Sequence, residues 1–573
     1  MQLIKKIFGA MLIFVGILLM VALFGFAIMM IFHVSIFGYT YASSNDMGNT
    51  YRFAGTIVNS IEIDTNNADI VLMSASDSDQ VSVKLMQDFQ GIVKSDVKKY
   101  SYNVPLNDEG TEFSQKPFVS DGVLKIATKD PQGLMFRNKT IVSIAIPQKI
   151  GLIDYVLNNL KISTASDSVD IGEGHSLTVK DLTLINKNKS LLSQLAISKD
   201  LHIQGKLNIE TGYGRITIYS SINDDVNIKT EGGSIIFKSD IEGNVNIEGD
   251  NPYVEFGSVA EKPVNTIENS KVEEYTRQLK IETDTNKIKD LQNKIAKEQK
   301  NVEKAFNDIK QVNIKGNLNI IDCNDGNVKV GGTVYGYVYI QSPNVQFWAN
   351  NVEDGITCDS GANNIRIFGS LCKTKPNKAC EIVNGDGHLF INHCYADVSI
   401  EAKKNGVNIK NAYSNVYVKN ENYGTSVNFA EGVVHKKLEI HQQKGGITAT
   451  NLSGPTILEA ETNKVTAEFL EIYGNTNSIR AKSGVTLKIK DSGNIYSFIT
   501  KGKAKSVKLN VNLGSVVYDN WSGDWVDEVT EQGIKYSVRH DNINAASGTD
   551  LENILNIFVT DSGTIKATSF NLA

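Results

Sequence analysis

Residues 207–250 read LNIETGYGRITIYSSINDDVNIKTEGGSIIFKSDIEGNVNIEGD, and one short phrase returns through them: apolar, polar, apolar, then a small polar turn. The pairs Leu207/Ile209, Val226/Ile228 and Val245/Ile247 stand 19 residues apart. Between them run Ile216/Ile218, Ile235/Phe237 and Val254/Phe256, again at 19. The turns keep the same step: Thr211 with Thr230, Gly214 with Gly233, Ile222 with Ile241. Side chains alternate faces along a strand, so the ends of each phrase point inward and its middle residue points out. Asn208, Thr217, Asn227 and Asn246 hold middle positions, which makes one face buried and the other wet.

Two turn types alternate, so the repeating unit is two strands and two turns. Such a unit buries its apolar face only by stacking on copies of itself. The expected fold is mostly β: a β-solenoid (β-helix) of ~19-residue coils, each adding one rung of ~4.8 Å. Gly212, Gly214, Gly232 and Gly233 suit corners that need positive φ. An antiparallel meander is the competing reading, but it favours two-residue turns such as Asn-Gly, which are not the rule here. The phrase resumes in Leu318/Ile320, Val328/Val330 and Val338/Ile340, then from Leu389/Ile391 through Val416/Val418 at steps of nine. It blurs after Ile447 and returns in KSGVTLKIKDSG and IFVTDSGTIKAT.

The N-terminus points to a membrane. After Lys5 and Lys6 come 26 uncharged residues, Ile7 to Phe32. About 20 suffice to cross the hydrocarbon core, whereas a signal peptide's apolar region has only ~7–15. We read residues 7–37 as a transmembrane signal anchor in the lipid bilayer, although TYASS at 40–44 also has the look of a weak cleavage site. No Lys or Arg follows the span until Arg52, so the positive-inside rule puts residues 1–6 in the cytoplasm and the bulk of the chain outside. The remaining boundaries expected are a β module over 45–145, solenoid over 146–262, a helical insertion over 263–311, and solenoid with a C-terminal cap over 312–573.

The insertion carries its own pattern. SKVE at Ser270–Glu273 fits a capping box, and Ile281, Ile288, Ile295, Val302 and Ile309 recur every seven residues. Arg277, Asp284 and Glu298 interrupt the second seam, leaving a narrow stripe. The readings stay open: a helical excursion packed along the solenoid, a hairpin broken at Thr283–Asn286, or a coiled coil over 270–310 that makes a homo-oligomer.

At this point the sequence resembles a bacterial adhesin family, membrane-anchored β-strand-repeat domains otherwise without assigned function. The likeness rests on SIEIDTNNADIVLMSASDSDQVSV (60–83), on IVSIAIPQKI (141–150) with its Pro147, and on the T-x-G-x-I-x-I phrases TGYGRITI and TEGGSIIF. It covers 55–260 and, more loosely, the C-terminal portion. The resemblance implies a fold outside a membrane anchor and brings no catalytic residues with it.

Chemistry-bearing residues are sparse. A net charge of −6 gives no basic face for nucleic acid. No G-x-S-x-G, H-E-x-x-H or phosphate loop occurs, so no catalytic residue is assigned and no cofactor is expected. Asp224, Asp225 and Asp240 lie at turns, where such residues cap backbone amides. Of the cysteines Cys323, Cys358, Cys372, Cys380 and Cys394, CKTKPNKAC sets Cys372 and Cys380 across a short loop, a candidate disulfide. Cys358 falls in the core frame, and His388 and His393 have no zinc-knuckle spacing, so no metal is expected.

The candidate ligand contact is DNWSGDWVDE, 519–528, with Trp521 and Trp525 among Asp519 and Asp524. Exposed indoles stack on sugars; alternatively both plug the end of the solenoid. Tyr213, Tyr335, Tyr337 and Tyr339 pose the same choice between surface stacking and ordinary strand residues. The function expected is an adhesin-like solenoid at the cell surface, structural or binding envelope glycans or surface proteins. An envelope sensor working through a membrane partner and a glycan-active β-helix enzyme are the alternatives.

Overall fold

The computed structural model describes residues 41–91, 116–128, 136–171, 176–187, 194–257, 311–490, 496–519, 527–538 and 554–570, with breaks of one to three residues inside these ranges. Val15, Gly16, Leu19, Met20, Leu23 and Lys294 are also described, all helical. The proposed span 7–37 and insertion 263–311 otherwise fall outside the described residues. Among the described residues no helix is long and apolar enough to cross a membrane.

The chain divides into two compact units, Met1–Ser220 and Ser221–Ala573. Each is built from two-strand coils. The first strand of a coil joins one parallel sheet, here the leading sheet, and the second joins the other, the trailing sheet.

In the second unit the 19-residue step is a physical stack. Val226 lies beside Val245 and Ile228 beside Ile247 in the leading sheet; Ile235 lies beside Val254 and Phe237 beside Phe256 in the trailing sheet. All these pairings are parallel, so the meander is excluded. The apolar partners are fully buried, and the Phe237 and Phe256 rings stack at 4.8 Å. Each such side chain contributes ~1.5–3 kcal/mol on burial, which a single coil with one open face would forgo.

The interruption does not break the stack. Val245–Gly249 pairs directly with Leu318–Cys323, in the register Val245↔Leu318 and Ile247↔Ile320. Residues 73 apart therefore take the places of residues 19 apart. The turns carry the stack as well. Asp225 Oδ1 accepts from the Asn244 N–H at 2.9 Å, Asn244 Oδ1 from the Asn317 N–H at 2.8 Å, and Asn317 Oδ1 from the Tyr337 N–H at 2.8 Å. Asp240 likewise accepts from the Asn313 N–H at 2.8 Å. The turn acids are backbone caps, as their positions predicted.

The corner glycines correct one expectation. Of the four named, only Gly214 has positive φ, 95°. Gly233 instead donates its N–H to Thr230 Oγ1 at 2.8 Å. Gly249, at φ 144°, is where glycine is required: a Cβ there would stand 1.7 Å from the Thr230 carbonyl oxygen.

Both units close by coils inserted out of chain order. In the first unit Ser60–Thr65 lies between Val123–Thr128 and Leu157–Thr164, and Asp69–Ala75 between Phe136–Pro147 and Val169–Ile171. The strands of 60–147 thus stack in the same parallel sheets as the coils that follow them. Gln80–Gly91 and then Tyr41–Ala54 run antiparallel along the open edge of Phe136–Pro147. Antiparallel strands cover an edge that would otherwise template another chain.

In the second unit, Ile554–Val559 sits between Asn477–Ala481 and Tyr496–Gly502. Its companion Thr564–Phe570 sits between Gly484–Lys490 and Ser506–Asn510. The two distant segments in which the phrase returns are therefore neighbours: Val485 lies beside Ile565 and Leu487 beside Ala567.

Candidate functional site

A solenoid offers its outward middle residues as lanes, one residue per coil at ~4.8 Å. The trailing sheet of the second unit carries the lane Glu255, Lys329, Trp348, Arg366, Phe390, each in register with the next. Lys329 lies 4.8 Å from the centre of the Trp348 ring and 5.3 Å from that of Tyr253. Arg366 approaches the same indole at 5.3 Å, and Lys410, one coil past Phe390, stands 5.2 Å from the Phe390 ring. Phe368 bridges sideways, 6.1 Å from both Trp348 and Phe390.

Cations and rings thus alternate in register over four successive coils, Lys329 to Phe390, with Tyr253 and Lys410 reaching in from the coils on either side. Lys329, Trp348, Arg366 and Phe390 are half-buried and Lys410 is exposed. The Trp348 indole N–H is covered and lacks an acceptor among the described residues. Glu255 accepts a hydrogen bond from the Tyr253 hydroxyl at 3.0 Å; neither Lys329 nor Lys410 is ion-paired to a described residue.

The leading sheet's outer face is different. Asparagines form a ladder, with Asn246 Nδ2 donating to Asn227 Oδ1 at 2.8 Å and Asn319 Nδ2 to Asn246 Oδ1 at 2.7 Å. Further along, a shallow pocket of about 220 Å³ is lined by Cys380, Asp397, Ser399, Tyr417, Lys437 and Glu439. Burial would raise the Asp397 carboxyl, but hydrogen bonds from Ser414 and Asn415 outweigh it and hold the group below the usual range.

Glu439 is held low by Lys437 at 2.5 Å and by His441 at 2.7 Å. His441 also meets Glu459 at 2.9 Å; burial disfavours its charge, yet the two carboxylates prevail and raise its pKa. This carboxylate–imidazole–carboxylate triad joins neighbouring coils, because His441 and Glu459 are in register. Its acids are engaged with cations, not poised across a cleft.

The sequence-predicted residues fare unevenly. Asp519 ends the strand Leu513–Asp519, in register with Lys501, while Trp521, Asp524 and Trp525 lie outside the described residues. Cys372 and Cys380 are both buried thiols with Sγ atoms 3.9 Å apart. The hydrogen bond to Cys380, then burial, raises the Cys372 pKa, and the same bond lowers that of Cys380.

The loop between these cysteines is tied down. Asp354 pairs with Lys375 at 3.2 Å and Lys378 at 2.9 Å, and Glu353 accepts from the Thr374 N–H at 2.7 Å. Cys358 is a core residue beside Ile340 and Ile382. His393 stacks near Tyr413 and Tyr395, whose rings are 4.1 Å apart. Among the described residues no group of His, Cys, Asp and Glu is arranged to hold a metal.

Tyr213 and Tyr335 are exposed, the latter beneath Lys315 at 4.3 Å. Tyr339 donates to Asp359 at 2.5 Å and Tyr337 shares a hydrogen bond with Thr357, so these two bind their neighbours in the next coil.

Sequence reasoning missed the ring–cation lane. Its signal was the middle letter of successive trailing phrases: Lys329 in VKV, Trp348 in FWA, Arg366 in IRI, Phe390 in LFI. Reading every second phrase as one sheet aligns them. No protein-family model, no curated protein and no solved structure matches this chain.

Proposed function

We propose that the chain is an adhesin-like solenoid at the cell surface, anchored through residues 7–37 and binding envelope glycans or surface proteins along its outer faces. The observation that supports this most is the ring–cation lane of the trailing sheet, an outward array with one side chain per coil. Stacked coils hold such an array in fixed register at little conformational cost, which suits a linear or repetitive ligand. The likeness to the adhesin family and the uncharged N-terminal segment point the same way. An enzyme would need carboxylates converging on a cleft, and the clustered acids, Glu439 and Glu459, are both spent on His441.

The test uses the full chain expressed in a bacterial cell. The reading expects it to remain with membranes after alkaline extraction, to be digested by protease added outside intact cells, and to bind purified envelope fragments. A protein released by extraction, protected from external protease, or indifferent to envelope material contradicts it.

A further inference from the structure

We infer that the lane Lys329, Trp348, Arg366 and Phe390, flanked off register by Tyr253 and Lys410, binds a linear acidic polysaccharide in which a charged sugar alternates with a neutral one. This deepens the surface-binding reading and rests on it.

The argument starts from the order of residue types. Tyr253, Trp348 and Phe390 come from the strands Tyr253–Phe256, Val345–Val352 and Leu389–Cys394. Lys329, Arg366 and Lys410 come from Gly326–Val334, Asn364–Leu371 and Val407–Ala412, the strands that alternate with them. In register the lane reads Lys329, Trp348, Arg366, Phe390, cation and ring alternating over four coils, with like groups about 10 Å apart. Tyr253 and Lys410 flank this run two positions off its register, and Phe368 adds a ring beside Arg366. One coil is comparable in length with one sugar residue, so a chain lying along the axis would set neutral sugars over rings and acidic ones over cations. Sugar C–H faces stack on aromatic rings, and a guanidinium takes a carboxylate or sulfate through two parallel hydrogen bonds.

The charges favour an anion here. Lys329 and Lys410 have no carboxylate partner among the described residues, and the one acid in the lane, Glu255, lies at its end and is hydrogen-bonded by Tyr253. Cation–π pairing at a wet surface is worth only ~0.5–1 kcal/mol, so it leaves the Lys329 and Lys410 ammoniums able to take a ligand. Nucleic acid fits less well, because it carries a phosphate on every nucleotide, each strand of a duplex placing one every ~3.4 Å of helix axis, against one cation in about 10 Å here. The chain's net charge of −6 also supplies no broad basic field.

The test measures binding of the full chain to hyaluronan and unsulfated chondroitin, which alternate a uronate with a neutral amino sugar. Polygalacturonate, charged on every sugar, neutral dextran, and single-stranded oligodeoxythymidine are the comparators. The alternating polymers are expected to bind best and dextran not at all. Lys329→Gln combined with Lys410→Gln, which alters only surface amines, is expected to weaken that binding about tenfold and flatten its salt dependence. Trp348→Leu is expected to weaken it at constant salt dependence. Lys229→Gln with Lys419→Gln, exposed cations of the leading sheet, should leave it unchanged.

Binding that ignores the lane variants, equal retention of dextran, or a preference for oligodeoxythymidine overturns the assignment. If the chain holds envelope fragments while these polymers and variants show nothing, the lane falls and the surface-binding reading stands. If it holds neither, both fall.

Discussion

Two histidines sit 6 residues apart in sequence and respond to acid in opposite senses. His435 is buried, stacked on Phe429 at 4.2 Å, with Nε2 3.1 Å from Thr456 Oγ1 and Nδ1 without a partner. Burial pushes its pKa down to about 4. Between that value and the ordinary 6.5 the unfolded chain binds more protons than the folded one, so stability falls as pH drops through this window and levels off below it. The loss amounts to up to about 3 kcal/mol.

His441, held by Glu439 and Glu459, has a raised pKa, so its contribution is complete at low pH and is lost as pH rises through that raised value. Unfolding midpoints measured from pH 4 to pH 7 should show the difference. His435→Gln is expected to flatten the acid limb, and His441→Gln to flatten the opposing trend at higher pH. An acid limb unchanged in His435→Gln would contradict this assignment. The turn acids and the in/out alternation were legible in the sequence because each depends on neighbours one or two residues away. The histidine environments were not, since Thr456 and Glu459 reach them only through coil stacking.

At the scale of the element, the phrase was readable wherever both of its ends are aliphatic, as in VNIKT or VYVKN. It blurred after Ile447 because Ala449, Ala460 and Ala467 take buried places there. The order of the terminal coils was invisible, because apolar spacing identifies a coil but not its neighbour. Ile554–Val559 pairs with Asn477–Ala481 across 78 positions, Asn477 to Leu555, a separation that no local spacing encodes.

That insertion has a consequence. The coil of 554–570 fills a place in both sheets, so ending the chain before Ile554 exposes Leu487 and Ile479 and leaves Tyr496–Gly502 with only Leu513–Asp519 beside it. Truncation there should make the strands Tyr496–Gly502 and Ser506–Asn510 readily cleaved by protease and lower the unfolding midpoint, while pairings farther along the unit, such as Val226↔Val245, persist. Cleavage unchanged by truncation would contradict the inserted order. The long contact distance also predicts that this coil docks late in refolding, after the locally stacked coils.

For the whole molecule, the same physical rule explains fold and candidate site together. Coils that cannot bury their apolar faces alone are forced into register, and register turns scattered middle residues into lanes. The fold class was therefore legible from residues 207–250, whereas the ring–cation lane emerged only when trailing strands were aligned across six coils. The central claim is that coils stack in parallel and that the interruption leaves this stack intact.

The most direct measurement is disulfide formation between introduced cysteine pairs in the full chain. Asn227→Cys with Asn246→Cys and Asn246→Cys with Asn319→Cys place adjacent, in-register residues at a distance a disulfide spans. Asn227→Cys with Asn319→Cys lies two coils apart, about 10 Å, too far for the bond. The account predicts efficient cross-linking of the first two pairs under mild oxidation and none of the third. Cross-linking of the third pair, or failure of the second while the first succeeds, would contradict it.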